Sequence, residues 1–185
     1  MRYHYYIFIL LLSVNSFCKK SKSPIEQLPP ETQTGANTFG CLVDGQLFKP
    51  GGAILSGGSL NCSYQYLGPG KNGGYHFILA AVKGSGSKQT SVGLFTDSLQ
   101  ITEGVAISLD SNDKRMGYGS YFGLGNDQSD WIHNTKKPLY TGELRLTKFD
   151  TINQIASGTF WFDATNANGK KVEIRHGRFD VRFTR

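Results

Sequence analysis

Few residues of this chain could do chemistry, and their spacing argues against most reactions. Beyond His4 the histidines are His76, His133 and His176, and the cysteines are Cys18, Cys41 and Cys62. Acyl or glycosyl transfer needs a nucleophile oriented by a base within hydrogen-bond reach. The chain has no Gly-x-Ser-x-Gly, no His-x-x-x-His and no marked pair of carboxylates. Gly84-Ser-Gly-Ser-Lys88 carries the lysine of a phosphate loop without its spacing or a following helix, so it reads as a hairpin turn. Asp163-Ala-Thr-Asn-Ala-Asn-Gly169 has the polar content of a calcium loop. Its acid sits one place early and no glutamate closes it, which leaves an Asn-Gly turn. The expectation is a protein with no catalytic residues, no metal and no cofactor.

Aromatic side chains are the better candidates for binding. Trp161 alternates with Phe160 and Phe162, and Trp131, Tyr118 and Tyr121 lie in or near an irregular stretch at 126–138. An aromatic ring exposed on a sheet face can stack on a sugar ring, joining apolar area to a polar tip. The competing expectation is that a second sheet or the loop packs over Trp161.

The elements that must position these residues are strands. Glycine is abundant at 23 residues, aromatics make up 12% and charged residues only 18%. Short Gly-punctuated runs rich in Phe, Tyr, Val and Thr are an all-β composition. No segment repeats apolar residues at helical spacing. The fold expected is an antiparallel meander, closed as a β-barrel or folded as a two-sheet sandwich. Asp44-Gly45 between apolar residues predicts a tight hairpin. Further strands are expected at 60–67, 75–82, 91–95, 105–109 and 118–124, the last two paired with each other. Three long strands end the chain. Leu144 and Leu146 share a face, as do Phe160, Phe162 and Ala164. In the last strand Val172 and Ile174 give way to Phe179, Val181 and Phe183, a change of parity that requires an extra residue. His176-Gly177 is the expected bulge.

At the N-terminus a short positive head precedes the apolar run Tyr5 to Leu12, too short for a mature anchor and suited to an export signal at 1–17. Cys18 follows, and here the chain resembles bacterial lipoprotein precursors, in which that cysteine is lipidated and becomes the first residue. Cleavage after Ser16 is the alternative. Residues 18–37, rich in Pro and polar groups, are expected to be a flexible tether, with one domain at 38–185. With Cys18 carrying lipid, Cys41 and Cys62 remain, and an oxidising envelope permits a disulfide between them. Two buried free thiols are the other reading. The net charge of +6 comes from scattered basic residues without a recognisable module, which argues against nucleic acid.

Four segments carry a closer resemblance. Residues 38–50 (Thr-Phe-Gly-Cys-Leu-Val-Asp-Gly-Gln-Leu-Phe-Lys-Pro), 141–150, Ile155 to Phe160 and Gly177 to Asp180 resemble a family of Bacteroidetes lipoproteins of unknown function. The resemblance spans most of 18–185 and implies a lipid-anchored, all-β envelope domain; it implies no reaction. Lys19, Lys20 and Lys22 stand where surface-exported lipoproteins of these bacteria tend to carry acids, so the periplasmic side of the outer membrane is expected. Asp97-Ser98-Leu99 and Asp150-Thr151-Ile152 look like the O-glycosylation sequons of such bacteria, with Ser98 and Thr151 as acceptors; ordinary turn chemistry is the alternative. The functional expectation is a membrane-anchored, non-catalytic binding or interaction module for a protein or glycan partner. A glycan or small-ligand carrier using a barrel cavity or aromatic face is its alternative, and an enzyme is less favoured.

Overall fold

The computed structural model describes residues 21–52, 58–68, 73–110, 116–123, 131–135 and 141–185. These residues form one antiparallel sheet of eleven strands, and the protein is all-β. The strands are β1 (Thr38–Val43), β2 (Gln46–Phe48), β3 (Leu60–Tyr66), β4 (Tyr75–Lys83), β5 (Thr90–Thr96) and β6 (Ala106–Ser108). They continue with β7 (Gly117–Gly123), β8 (Ile132–Asn134), β9 (Gly142–Asp150), β10 (Ile155–Thr165) and β11 (Lys171–Arg182). Asp44 and Gly45 both take positive φ, +46° and +76°, so the β1–β2 hairpin has the mirror-image turn whose twist matches its strands.

Period-2 patterning sets the inner face of the last three strands. Leu144, Leu146, Phe160, Phe162, Ala164, Val172, Ile174, Phe179, Val181 and Phe183 are all buried. The change of parity in β11 is a bulge. Phe160 pairs with Gly177 and Phe162 with Ile174, so Arg175 and His176 together oppose Trp161. Against β1, Gly40 pairs with Arg178 and Leu42 with Arg175, so there the bulge is the expected His176-Gly177 opposite Cys41; His176, common to both sides, takes the left-handed conformation at φ +53°. Gly177 is required for space: a Cβ there would come within 2.5 Å of the Phe160 ring.

The strand path runs β2-β1-β11-β10-β8-β7-β5-β4-β3. No continuous ladder closes it, but single parallel bridges join Ser63 to Thr184 and Gly51 to Lys83. Tyr64 N–H donates to the Thr184 carbonyl at 2.8 Å and Thr184 N–H to the Cys62 carbonyl at 3.0 Å. The sheet thereby curls around a single apolar cluster fed by every long strand. β6 leaves the meander. Instead of pairing with β7 along its length it pairs with β9, Ile107 opposite Leu144. The stretch 126–138, expected to be irregular, contains β8, which pairs with β7 and touches β10.

Two expectations are corrected. Cys41 and Cys62 form no disulfide: both are free and buried, and no two described cysteines lie within bridging distance. β1 pairs with β11 and β2, whereas β3 pairs with β4, so no ladder sets the two cysteines side by side. Burial pushes both thiols well above their ordinary range. Nor are residues 28–36 a free tether. Leu28 is buried, and Pro29 covers Gly40 so closely that a Cβ there would meet Pro29 Cδ at 2.6 Å. The carboxylate of Asp180, itself buried, accepts hydrogen bonds from Thr32 Oγ1 (2.6 Å), Gly35 N (2.7 Å), Thr34 N (3.0 Å) and Ala36 N (3.1 Å). Ser157 Oγ adds another at 2.7 Å. Composition measures what a segment can bury; it does not register a buried carboxylate that needs donors. The folded unit thus begins at Leu28, not Thr38.

Candidate functional site

The β3–β4 hairpin outruns the core. Tyr64 opposes Phe77 and Tyr66 opposes Tyr75, all on the inner face by alternation. Tyr64 and Phe77 are buried, but one step further along Tyr66 is 60% exposed and Tyr75 37%. Beyond the last buried layer the inner face therefore becomes a wall of tyrosines. Tyr64 and Tyr75 stack with ring centroids 4.9 Å apart and planes 9° apart, and Tyr66 leans on Tyr75 at 5.1 Å. Phe149 meets Tyr64 edge-on at 4.9 Å.

These rings bound an open cleft of about 680 Å³, completed by Gln65, Leu67, Gln100, Ile101, Thr151 and Arg185. That volume is in the ordinary range for small-molecule sites. Ile101 N–H donates to the Tyr64 hydroxyl at 3.4 Å, fixing the floor. Burial raises the Tyr64 hydroxyl above its usual pKa despite that bond, so it stays a neutral donor and acceptor. Arg185 is turned aside, its guanidinium donating to the Thr151 carbonyl. The cleft is thus aromatic with amide and hydroxyl groups, and among the described residues no acidic side chain or histidine lines it. The signal in the chain was Tyr64-Gln-Tyr66 placed opposite Tyr75 across a turn; the expected aromatic candidates lay elsewhere.

Those four candidates do not converge. Tyr118 is half-buried, stacked on Phe95 at 4.7 Å on the outer face. Tyr121 faces inward against the core, with His133 at 5.7 Å. Trp131 is half-buried and meets Phe122 edge-on at 6.2 Å. Trp161 alone among them is exposed, on the outer face of β10. Arg175 lies 5.7 Å over its ring and is itself held by Asp163 at 2.5 Å. Trp161, Thr159, Arg175, His176 and Arg178 border a second pocket of about 360 Å³, with two carboxylates on its lining: Glu31, of the N-terminal strap formed by residues 28–36, and Glu143, which is paired with Arg145 at 3.3 Å.

Thr151 is exposed at the β9–β10 turn, where Asp150 caps the backbone N–H groups of Ile152 (3.0 Å) and Asn153 (2.9 Å). Ser98 is half-buried and donates to Asp97 at 3.1 Å, the carboxylate that also faces His76 Nδ1 at 3.4 Å. His76 is half-buried, His133 buried and His176 exposed. Among the described residues no group of three or more His, Cys, Asp or Glu is placed to hold a metal, and no helix is long and apolar enough to cross a membrane. The export signal at 1–17 and Cys18 lie outside the described residues. Comparison with protein families, characterised proteins and solved structures gives no match to this chain.

Proposed function

We propose that this chain is a lipid-anchored, non-catalytic binding module of the cell envelope that holds a neutral glycan in the tyrosine cleft. The observation that carries the reading is the run of inner-face tyrosines, Tyr64, Tyr66 and Tyr75, continuing past the buried core into an open cleft. A sugar ring has an apolar C–H face that suits the negative face of a tyrosine, and hydroxyls that suit Gln65 and Gln100 at the rim. Glycoside hydrolysis uses a pair of carboxylates flanking the bond, whereas the described residues that line the cleft are aromatic, amide, hydroxyl and aliphatic side chains with Arg185. Lipid on Cys18 places the module on a membrane, and the neighbouring lysines favour the periplasmic side of the outer membrane. A protein partner is the second reading, favoured by Ile78, which is 41% exposed on the outer face beside the Phe95–Tyr118 stack.

Calorimetric titration with neutral oligosaccharides of several linkages tests the first reading. At least one set is expected to bind, and Tyr66→Ala with Tyr75→Ala to weaken it by about tenfold or more, roughly 1.4 kcal/mol. Binding of none, or binding indifferent to both tyrosines, overturns it. Loss of partner capture in Ile78→Lys, with glycan binding absent, would favour the second.

A further inference from the structure

The pocket on the outer wall of β9–β11 stands on residues of its own. Both terminal nitrogens of Arg175 are engaged there, Nη1 donating to the carbonyls of Phe162 (3.1 Å) and Ile174 (2.9 Å) and Nη2 to Asp163, which holds the guanidinium over the Trp161 ring. Arg178 is not. Its Nη1 reaches the Pro29 carbonyl at 3.3 Å and stands 3.8 Å from the Glu31 carboxylate. Its Nε is buried with no hydrogen-bond partner among the described residues. A buried donor left unpaired costs about 1–3 kcal/mol. Glu31 is 61% exposed, so its pair with Arg178 is solvated and weak. It shows, though, that a carboxylate fits in front of this guanidinium. His176, held in the left-handed region at φ +53°, stands exposed on the same rim. Strain of that kind is retained where the surroundings over-determine it, and it gathers at ligand sites.

We propose that this pocket binds an acidic sugar, a carboxylate-bearing pyranose, with its ring on Trp161 and its carboxylate on the Arg178 fork in place of Glu31. A guanidinium matches a planar carboxylate through two parallel hydrogen bonds, and an ammonium does not. A neutral ring would leave the Arg178 fork unused, and a small inorganic anion would leave Trp161 unused. The site is separate from the tyrosine cleft. Trp161 opposes Glu143 at the start of β9, while the cleft is bordered by Phe149 near the end of that strand.

The chain has two tryptophans, so Trp131→Phe makes Trp161 the sole indole. In that protein a galacturonate trimer is expected to shift the tryptophan emission saturably, and a neutral trimer of equal length is not. Affinity should fall several-fold as salt rises from about 50 to about 500 mM. Arg178→Lys, which keeps the charge and loses the fork, should weaken binding by about tenfold, roughly 1.4 kcal/mol. Glu31→Gln, which removes the competing carboxylate, should tighten it a few-fold. Tyr66→Ala with Tyr75→Ala should leave it unchanged. Should Arg178→Lys loosen the strap, seen as a lower melting temperature, the Glu31→Gln and salt arms still decide. Equal response to neutral and acidic trimers, no response to the acidic trimer, or weaker binding in Glu31→Gln overturns the proposal. The tyrosine-cleft reading stands or falls separately, on its own variants.

Discussion

Asp180 sits under the strap on the outer face of β11, with main-chain and hydroxyl donors converging on one carboxylate. Burial opposes its charge, but the bonds from Thr32, Ser157, Thr34 and Ala36 outweigh that and hold its pKa well below the usual carboxylate range. A folded-state pKa below the unfolded value of about 3.9 stabilises the fold fully above that pH and progressively less as pH falls below it. Asp180→Asn should therefore cost about 3 kcal/mol at neutral pH, since hydrogen bonds to a charged group are worth about 1.5–3 kcal/mol and the donors stay buried. Urea unfolding at pH 7 and at acid pH checks both points: the difference between variant and parent should shrink in acid. The cysteines make the other residue-scale prediction. With Cys18 replaced by Ser, the native protein should show no rapidly reacting thiol, because Cys41 and Cys62 are buried and their thiolates disfavoured. Denatured without reductant, it should titrate two thiols; none would restore the disulfide.

At the scale of elements the bulge in β11 governs both faces. It returns Phe179, Val181 and Phe183 to the core and sets Arg175 and His176 together across from Trp161. Gly177→Ala drives a methyl into the Phe160 ring and should destabilise by about 1–3 kcal/mol, as overpacking does. His176→Gly relieves a left-handed side chain and should stabilise by up to about 1 kcal/mol. Both are read from denaturant midpoints at constant slope. The need for a bulge was legible in the strand itself, because alternation fails between Ile174 and Phe179. Which residue would bear the strain was not: glycine was the natural choice, and the contact with Phe160 took Gly177 for another purpose. β6 was misjudged for a related reason. A strand of three residues carries too little pattern to name its partner, and Leu144 on β9 offered the apolar contact.

For the whole molecule the strap sets how far the domain would stand from a membrane under the proposed lipid anchor. Nine residues separate Cys18 from the docked Leu28, so a lipid on Cys18 would hold the folded unit within about 35 Å of the bilayer. Cys18→Ser is expected to move the protein from the membrane fraction to the soluble fraction without changing its melting temperature. Deleting residues 21–36 is expected to lower the melting temperature, because Gly40 loses the cover of Leu28 and Pro29 and Asp180 loses its donors on Thr32, Thr34, Gly35 and Ala36. Membrane association unchanged in Cys18→Ser would remove the anchor from the proposed function and leave the cleft untouched.

Strand alternation and turn chemistry are local, and they determined the all-β class, the Asp44-Gly45 turn, the inner residues of β9–β11 and the existence of the bulge. What a side chain meets across the sheet is not local. Only the curl of the strands decided that Cys41 and Cys62 stay apart, that the strap finds Asp180, and that Tyr66 and Tyr75 pass the end of the core. An inward-facing tyrosine one layer inside the core and one layer beyond it have the same local pattern; the depth of the apolar cluster separates them, and that depth belongs to the assembled sheet.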